Sequence, residues 1–267
     1  MMKPVLALVA AAMLLTPALA RAADEPAKPA AEAGPPEALS PPHQQWAFDG
    51  VFGTYDRAAL QRGFQVYKEV CSACHGVKYL YYRNLEAIGY TEDQIKGMAA
   101  QSQVADGPND QGDMFQRPGR PSDKIPAPFQ NDEKARTANN GALPPDLSLI
   151  VKARDNGPDY VYALLTGFKA TPPADFKVAT GMNYNPYFAG HQIAMPPPLT
   201  ADGQLTFADG TSASIAQMSR DVVTFLCWAA EPNLDERHKM GAKVILFLVV
   251  VAGLFYAAKR KIWAAIH

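Results

Sequence analysis

The chain has only three cysteines in 267 residues: Cys71, Cys74 and Cys227. Without a second cysteine pair there is no thiolate set for a structural zinc site. Long apolar stretches are also few, with one near each end, Val5–Leu15 and Val244–Ala258. No segment repeats, which removes solenoids and propellers from consideration. There is no basic excess to attract nucleic acid. All 26 acidic residues lie between Asp24 and Glu236. Of the 25 basic ones, Lys3 and Arg21 precede that stretch, and six more (Arg237, Lys239, Lys243, Lys259, Arg260 and Lys261) follow it. The middle of the chain is therefore acidic, and its field repels polyanions and favours a basic protein partner. With 48% hydrophobic and 19% charged residues, the composition is that of an ordinary globular protein.

The stretch that organises the rest is Cys71-Ser72-Ala73-Cys74-His75. A bare C-x-x-C leaves thiol redox chemistry open. Adding the histidine turns the pattern into a c-type haem attachment site. Two thiols three positions apart both reach the vinyl edge of one porphyrin, and the next residue brings an imidazole onto the iron. Only one such motif is present, so the expected cofactor is a single haem c, covalent through Cys71 and Cys74.

The ends fit an exported, membrane-tethered protein. Lys3, the apolar run from Val5 and the small-residue pattern Ala18-Leu19-Ala20-Arg21-Ala22 read as a signal peptide over residues 1–22. Residues 23–45 hold six prolines and many alanines, an extended spacer outside any core. Residues 46–236 are the expected periplasmic cytochrome c domain. The late apolar run, extended back to Met240, gives a transmembrane helix over 240–258, with Lys243 snorkelling. Residues 259–267 form a cytoplasmic tail. Flanking charge is nearly balanced, so orientation rests on the leader and the haem motif. The location implied is a bacterial inner membrane, single-pass, with the haem domain in the periplasm.

Periodicity places the remaining elements. Asp56 caps a helix toward Val70 with Leu60, Phe64 and Tyr67 on one face, delivering the haem motif at its end. Thr91-Glu92-Asp93-Gln94 is a capping box for a helix carrying Ile95, Met98 and Ala99. Residues 104–146 show no sustained period and read as a long ordered loop over the haem. Pro144-Pro145 opens a helix through Leu147, Ile150 and Val151, and Pro158 another through Tyr160, Leu164 and Leu165, closed by Gly167. Leu205-Thr206-Phe207 with Asp209-Gly210 suggests a strand and turn. Ser214 to Gln217 is a capping box for a helix through Met218, Val222, Phe225 and Leu226, and Glu231-Pro232-Asn233 breaks the chain before the anchor.

An electron-transfer haem takes a second axial ligand, usually His or Met. His43 lies in the spacer, and His238 and His267 flank the membrane run. By spacing, Met195 within Ala194-Met195-Pro196-Pro197-Pro198, Met114 and His191 all stay open, with the prolines favouring Met195.

The chain resembles the cytochrome c1 family. The likeness spans residues 46–263 and rests on Arg62-Gly63-Phe64-Gln65-Val66-Tyr67, Asp106-Gly107-Pro108-Asn109 and Met114-Phe115-Gln116-Arg117-Pro118-Gly119. It continues in Ala138-Asn139-Asn140-Gly141-Ala142-Leu143-Pro144-Pro145-Asp146-Leu147-Ser148, Asn185-Pro186-Tyr187-Phe188, Met195-Pro196-Pro197-Pro198 and Phe225-Leu226-Cys227-Trp228-Ala229-Ala230-Glu231-Pro232. The resemblance implies a mainly α fold, a class I-like cytochrome c domain with long loop insertions and one C-terminal transmembrane helix. It implies metal ligands His75 and Met195. It also places Arg154 near a haem propionate and Tyr160 and Asn139 in the pocket lining. As a subunit of the quinol–cytochrome c reductase complex, beside cytochrome b, the chain would take electrons from the Rieske iron–sulfur protein. It would pass them to a soluble or membrane-bound cytochrome c, with no catalytic acid or base. Some bacterial relatives carry an extra disulfide near the ligand loop. Cys227 has no partner here, so packing and prolines are expected to clamp that loop, and Cys227 to be a buried free thiol. Rival readings are a haem enzyme or gas-binding protein with an open iron site, and a free-standing tethered electron shuttle. Glu92-Asp93, or Asp110 with Asp113, are the candidate docking acids.

Overall fold

The computed structural model describes residues 37–265, so the expected leader and the first part of the spacer lie outside the described residues. Asp56 accepts a hydrogen bond from the Ala58 amide and opens α1 (Arg57–Glu69). Leu60, Phe64 and Tyr67 are buried along it, as their spacing predicts. A short 3-10 turn, Cys71–Ala73, follows directly, and a second, Tyr82–Ile88, ends at Gly89 with φ +100°. Next comes α2 (Glu92–Ala100), where Thr91 and Gln94 exchange both bonds of the capping box.

Residues 104–146 contain more than the expected loop. β1 (Gln103–Asp106) pairs antiparallel with β2 (Phe115–Pro118), and Asn131 caps α3 (Asp132–Ala138). Both elements escape periodicity because they bury almost nothing: the strand residues are only exposed or half-buried. The hairpin is pinned by charge instead. Arg117 holds Asp106 and makes two bonds to Asp123, at 2.6 and 3.0 Å.

The helix expected from Pro144-Pro145 does not form. Leu147, Ile150 and Val151 are buried as their spacing implies, but on successive turns. The reason is Asp146, whose carboxylate takes the amides of Lys78 and Ser148 and ties the segment to another part of the chain. α4 (Gly157–Gly167) begins with Pro158 in its first turn. Its final glycine is there for room rather than for a left-handed cap, since a Cβ would lie 2.8 Å from Asn185 Oδ1 and from the Tyr187 ring. β3 (Asn183–Tyr184) and β4 (Gln192–Ile193) make a second small antiparallel pair. The strand expected at Leu205–Phe207 is absent: Phe207 is buried but pairs with no strand, although the Phe207–Gly210 turn forms.

In α5 (Ile215–Ala230), Ser214 accepts from the Gln217 amide, but the Gln217 side chain donates to Asp221 and leaves the box half made. α5 is the centre of the core. It crosses α1 at Gly63, where a Cβ would sit 2.0 Å from the Asp221 carbonyl oxygen. Phe64 and Tyr67 then reach Phe225, at ring separations of 5.5 and 5.7 Å. Beside the crossing, Arg62 binds the buried Asp221 at 2.7 Å and Asp209 at 2.7 Å, so the buried carboxylate is paired. α6 (Leu234–Trp263) follows the break at 231–233 and runs past the expected 240–258 span at both ends. Its 30 residues reach about 45 Å. No residue of its most apolar stretch is buried within the chain, as befits a helix whose neighbours are not in its own chain.

Candidate haem site

The site begins where α1 ends. Tight turns bring His75 back over the motif: the Cys74 and His75 amides both donate to the Cys71 carbonyl. Tyr67, buried in the α1 face, donates its hydroxyl to the His75 carbonyl at 3.1 Å and ties the motif to the core. Residues 76–79 are then zipped to residues 145–148. The Leu147 amide donates to Gly76, the Lys78 amide to Asp146, and the Tyr79 amide to the Ser148 hydroxyl.

This zipper sets the histidine. His75 Nδ1 lies 2.7 Å from the Pro145 carbonyl oxygen, which can only accept. Nδ1 therefore carries the proton, and Nε2 keeps a lone pair for a metal. Burial lowers the imidazole pKa, the Pro145 bond and Asp146 opposing it, so the neutral form prevails at neutral pH. Burial also pushes the Cys71 thiol up to about 12, with Cys74 adding to the shift. Cys71, Cys74 and Cys227 are all free of disulfides, and Cys227 is buried as expected, its thiol pKa raised by that burial. A neutral imidazole oriented by a backbone carbonyl, next to two free thiols, is a donor set that suits a c-type haem.

The comparisons with known proteins bear on the rest of the chain. A model of the Cytochrome C1 family matches residues 46–266. The chain belongs to the cytochrome c1 family. Cytochrome c1 of Rhodospirillum rubrum is 50% identical over 235 residues, covering 82% of this chain and 86% of that protein. An Arabidopsis thaliana protein named cytochrome c1 1, heme protein, mitochondrial, is 50% identical over 229 residues, 85% of this chain and 74% of its own length. Cytochrome b/c1 of Bradyrhizobium diazoefficiens is 49% identical over 248 residues; the match covers 85% of this chain but only 36% of that longer relative. Cytochrome c1 is a haem-containing electron-transfer subunit of the cytochrome bc1 complex.

The other candidate residues are held in different ways. Met195 is half-buried just beyond β4, and its carbonyl accepts from Asn183 Nδ2 at 3.2 Å. Met114 lies 65% exposed between β1 and β2. His191, at φ +56°, has its Nε2 2.8 Å from the Glu37 carbonyl. Arg154 and Tyr160 come together: burial raises the Tyr160 pKa, and the Arg154 guanidinium opposes it by charge and hydrogen bonding. Asn139 is half-buried, and its side-chain amide donates to Ala135 at 2.7 Å, stitching down the end of α3.

The loop around Met195 is clamped by more than packing and prolines. Asn185 is fully buried; its amide donates to Leu164 of α4 and its Oδ1 accepts from Tyr187. Gln204 donates to Pro198 and accepts from the Thr200 amide. The end of the supposed spacer contributes too. Leu39 donates to Pro186, and Asp159 at the start of α4 gathers the Gln44 amide, His43 and the Trp46 indole. Arg220 of α5 completes the attachment by donating to Gln44 and Gln45. Residues 37–45 are thus a strap bound to the domain. Asn183, Gln204, Asp159 and the Pro145 carbonyl had no chemical signature in the sequence, because a lone amide, a lone carboxylate or a backbone oxygen acquires its role only from its partner. Asn185 and Pro145 stood within family segments, which marked their place but not their work.

Proposed function

We propose that this chain is the electron relay of a quinol–cytochrome c reductase, holding one haem c through Cys71 and Cys74 with His75 and Met195 as axial ligands. The observation that carries the reading is the His75–Pro145 bond, which presents a neutral, oriented Nε2 directly after the two thiols. Haem held there would supply reversible one-electron chemistry at its iron. The protein supplies position and polarity. Of the three candidates for the second ligand, His191 is engaged with the Glu37 carbonyl and Met114 points its side chain at solvent. Met195 is half-buried on a loop held at both sides, which favours a fixed thioether. Arg154 beside Tyr160 is placed to pair with a propionate carboxylate, and Asn139 to line the pocket.

The rest of the reading is the route. Electrons arrive from the Rieske iron–sulfur protein, which receives them from quinol at cytochrome b, and leave to a soluble or membrane-bound cytochrome c. The acidic excess favours a basic acceptor. Asp110 and Asp113 stand exposed between β1 and β2, whereas Glu92 is occupied by Lys96 at 2.7 Å. α6 anchors the chain in a bacterial inner membrane with the haem domain on the periplasmic side. The test is rapid mixing of the whole complex with quinol, following the c-type absorbance. Reduction should be fast in the complete complex and abolished when the Rieske protein is removed. Reduction at the same rate without it would overturn the route.

A further inference from the structure

The turn Gly50–Gly53 takes no part in the haem site, yet it carries Phe52, which at 84% is the most exposed large apolar side chain among the described residues. Val51 beside it is 60% exposed. Two apolar side chains on a solvent-facing turn expose surface that burial would stabilise. The turn is also fixed in place. His238 Nδ1 lies 2.7 Å from the Gly53 carbonyl, and the Tyr55 amide donates to Asp235 at 3.1 Å. The turn therefore rides on the first turns of α6, and a shallow pocket joins Phe52 to His238, Lys239, Ala242 and Lys243.

The inference rests on α6 crossing the membrane, and the level of Phe52 then follows from helix geometry. Lys259-Arg260-Lys261 marks the far surface. A hydrocarbon core of about 30 Å takes about 20 helical residues, so the near boundary falls close to Lys239. Phe52, alongside Ala242 and Lys243, lies at that boundary rather than above it. Lys243 stands at the same level, with a stem long enough to raise its ammonium group to lipid phosphate, while Lys239 is paired with Glu236 at 2.9 Å. An apolar ring at the acyl boundary beside a basic side chain at headgroup level is the arrangement of interfacial segments.

We propose that the Val51–Phe52 turn is a second membrane contact, seated among phospholipid headgroups with Phe52 at the acyl boundary and Lys243 against phosphate. A single helix leaves a domain free to swing about its tether. A second contact, bonded to that helix, fixes the height and tilt of the haem domain above the bilayer.

The test uses the full-length haem-loaded protein in vesicles of phosphatidylcholine and phosphatidylglycerol. A nitroxide is attached at Phe52→Cys, with references at Val249→Cys in mid-α6 and Glu133→Cys on exposed α3; label taken up by the parent chain is subtracted. Collision with oxygen and with a water-soluble nickel chelate is then measured. The proposal expects the Phe52 site to show severalfold less chelate collision than the Glu133 site, and more oxygen collision. Chelate access equal to Glu133, with Val249 shielded, would overturn the proposal while leaving the anchor intact. Shielding from both reagents would overturn it in favour of a protein contact. Chelate access at Val249 would remove the anchor and the proposal together.

Discussion

Gly63 shows how much one missing methyl group can decide. Its hydrogen allows the α1 backbone to approach the Asp221 carbonyl, and a Cβ would intrude to 2.0 Å. Gly63→Ala is expected to cost about 1–3 kcal/mol by overpacking, read as an earlier denaturation midpoint with unchanged slope. The sequence marked this glycine only as part of a family segment; the reason, a helix crossing, belongs to a partner 158 positions away and has no local trace. Arg117 makes a second case at this scale. Its hydrogen bonds hold the Asp123 carboxyl down to about 2, from an ordinary 3.8. A depressed carboxyl contributes stability above its ordinary pKa and loses it as pH falls through the lowered one. The melting-temperature gap between wild type and Arg117→Gln should therefore be steady above about pH 4 and close between about pH 4 and about 2. A gap that persists to the acid end would deny the ion pair its role.

At the scale of elements, helices declared themselves and small pieces did not. α1, α2, α4 and α5 carry caps, prolines and apolar faces, so their positions followed from local residues. The 144–151 segment has the same spacing, but Asp146 bonds to distant amides and the expected helix gives way to turns. The haem motif itself was plain, since its chemistry is written in five adjacent residues. The clamp around Met195 was not, because it is assembled from the amides of Asn183, Asn185 and Gln204 acting on backbone carbonyls, which leave no sequence signature. The strap was read as a loose spacer because prolines signal extension and say nothing about docking. Asp159 is its main fastening. Asp159→Ala leaves the Trp46 indole and the Gln44 amide without their acceptor, at a cost of about 1–3 kcal/mol. Subtilisin should then cut within residues 37–45 markedly faster than in wild type, while cleavage between β1 and β2 stays the same.

Across the whole molecule, the core, the site and the anchor are connected through α5. It packs on α1, which leads into the Cys71–His75 motif, and on α4, which holds the strap and the loop around Met195. It ends one short break before α6. These parts are thus built on one packed frame. The central claim is that this frame presents Met195, together with His75, as the residues that would hold the haem iron. It is tested most directly by the optical spectrum of the ferric protein, compared between wild type and Met195→Leu. Wild type should show the weak long-wavelength methionine–iron band and, once reduced, bind no carbon monoxide; the variant should lose the band and bind the gas. A wild-type protein that lacks the band and binds carbon monoxide would contradict the account.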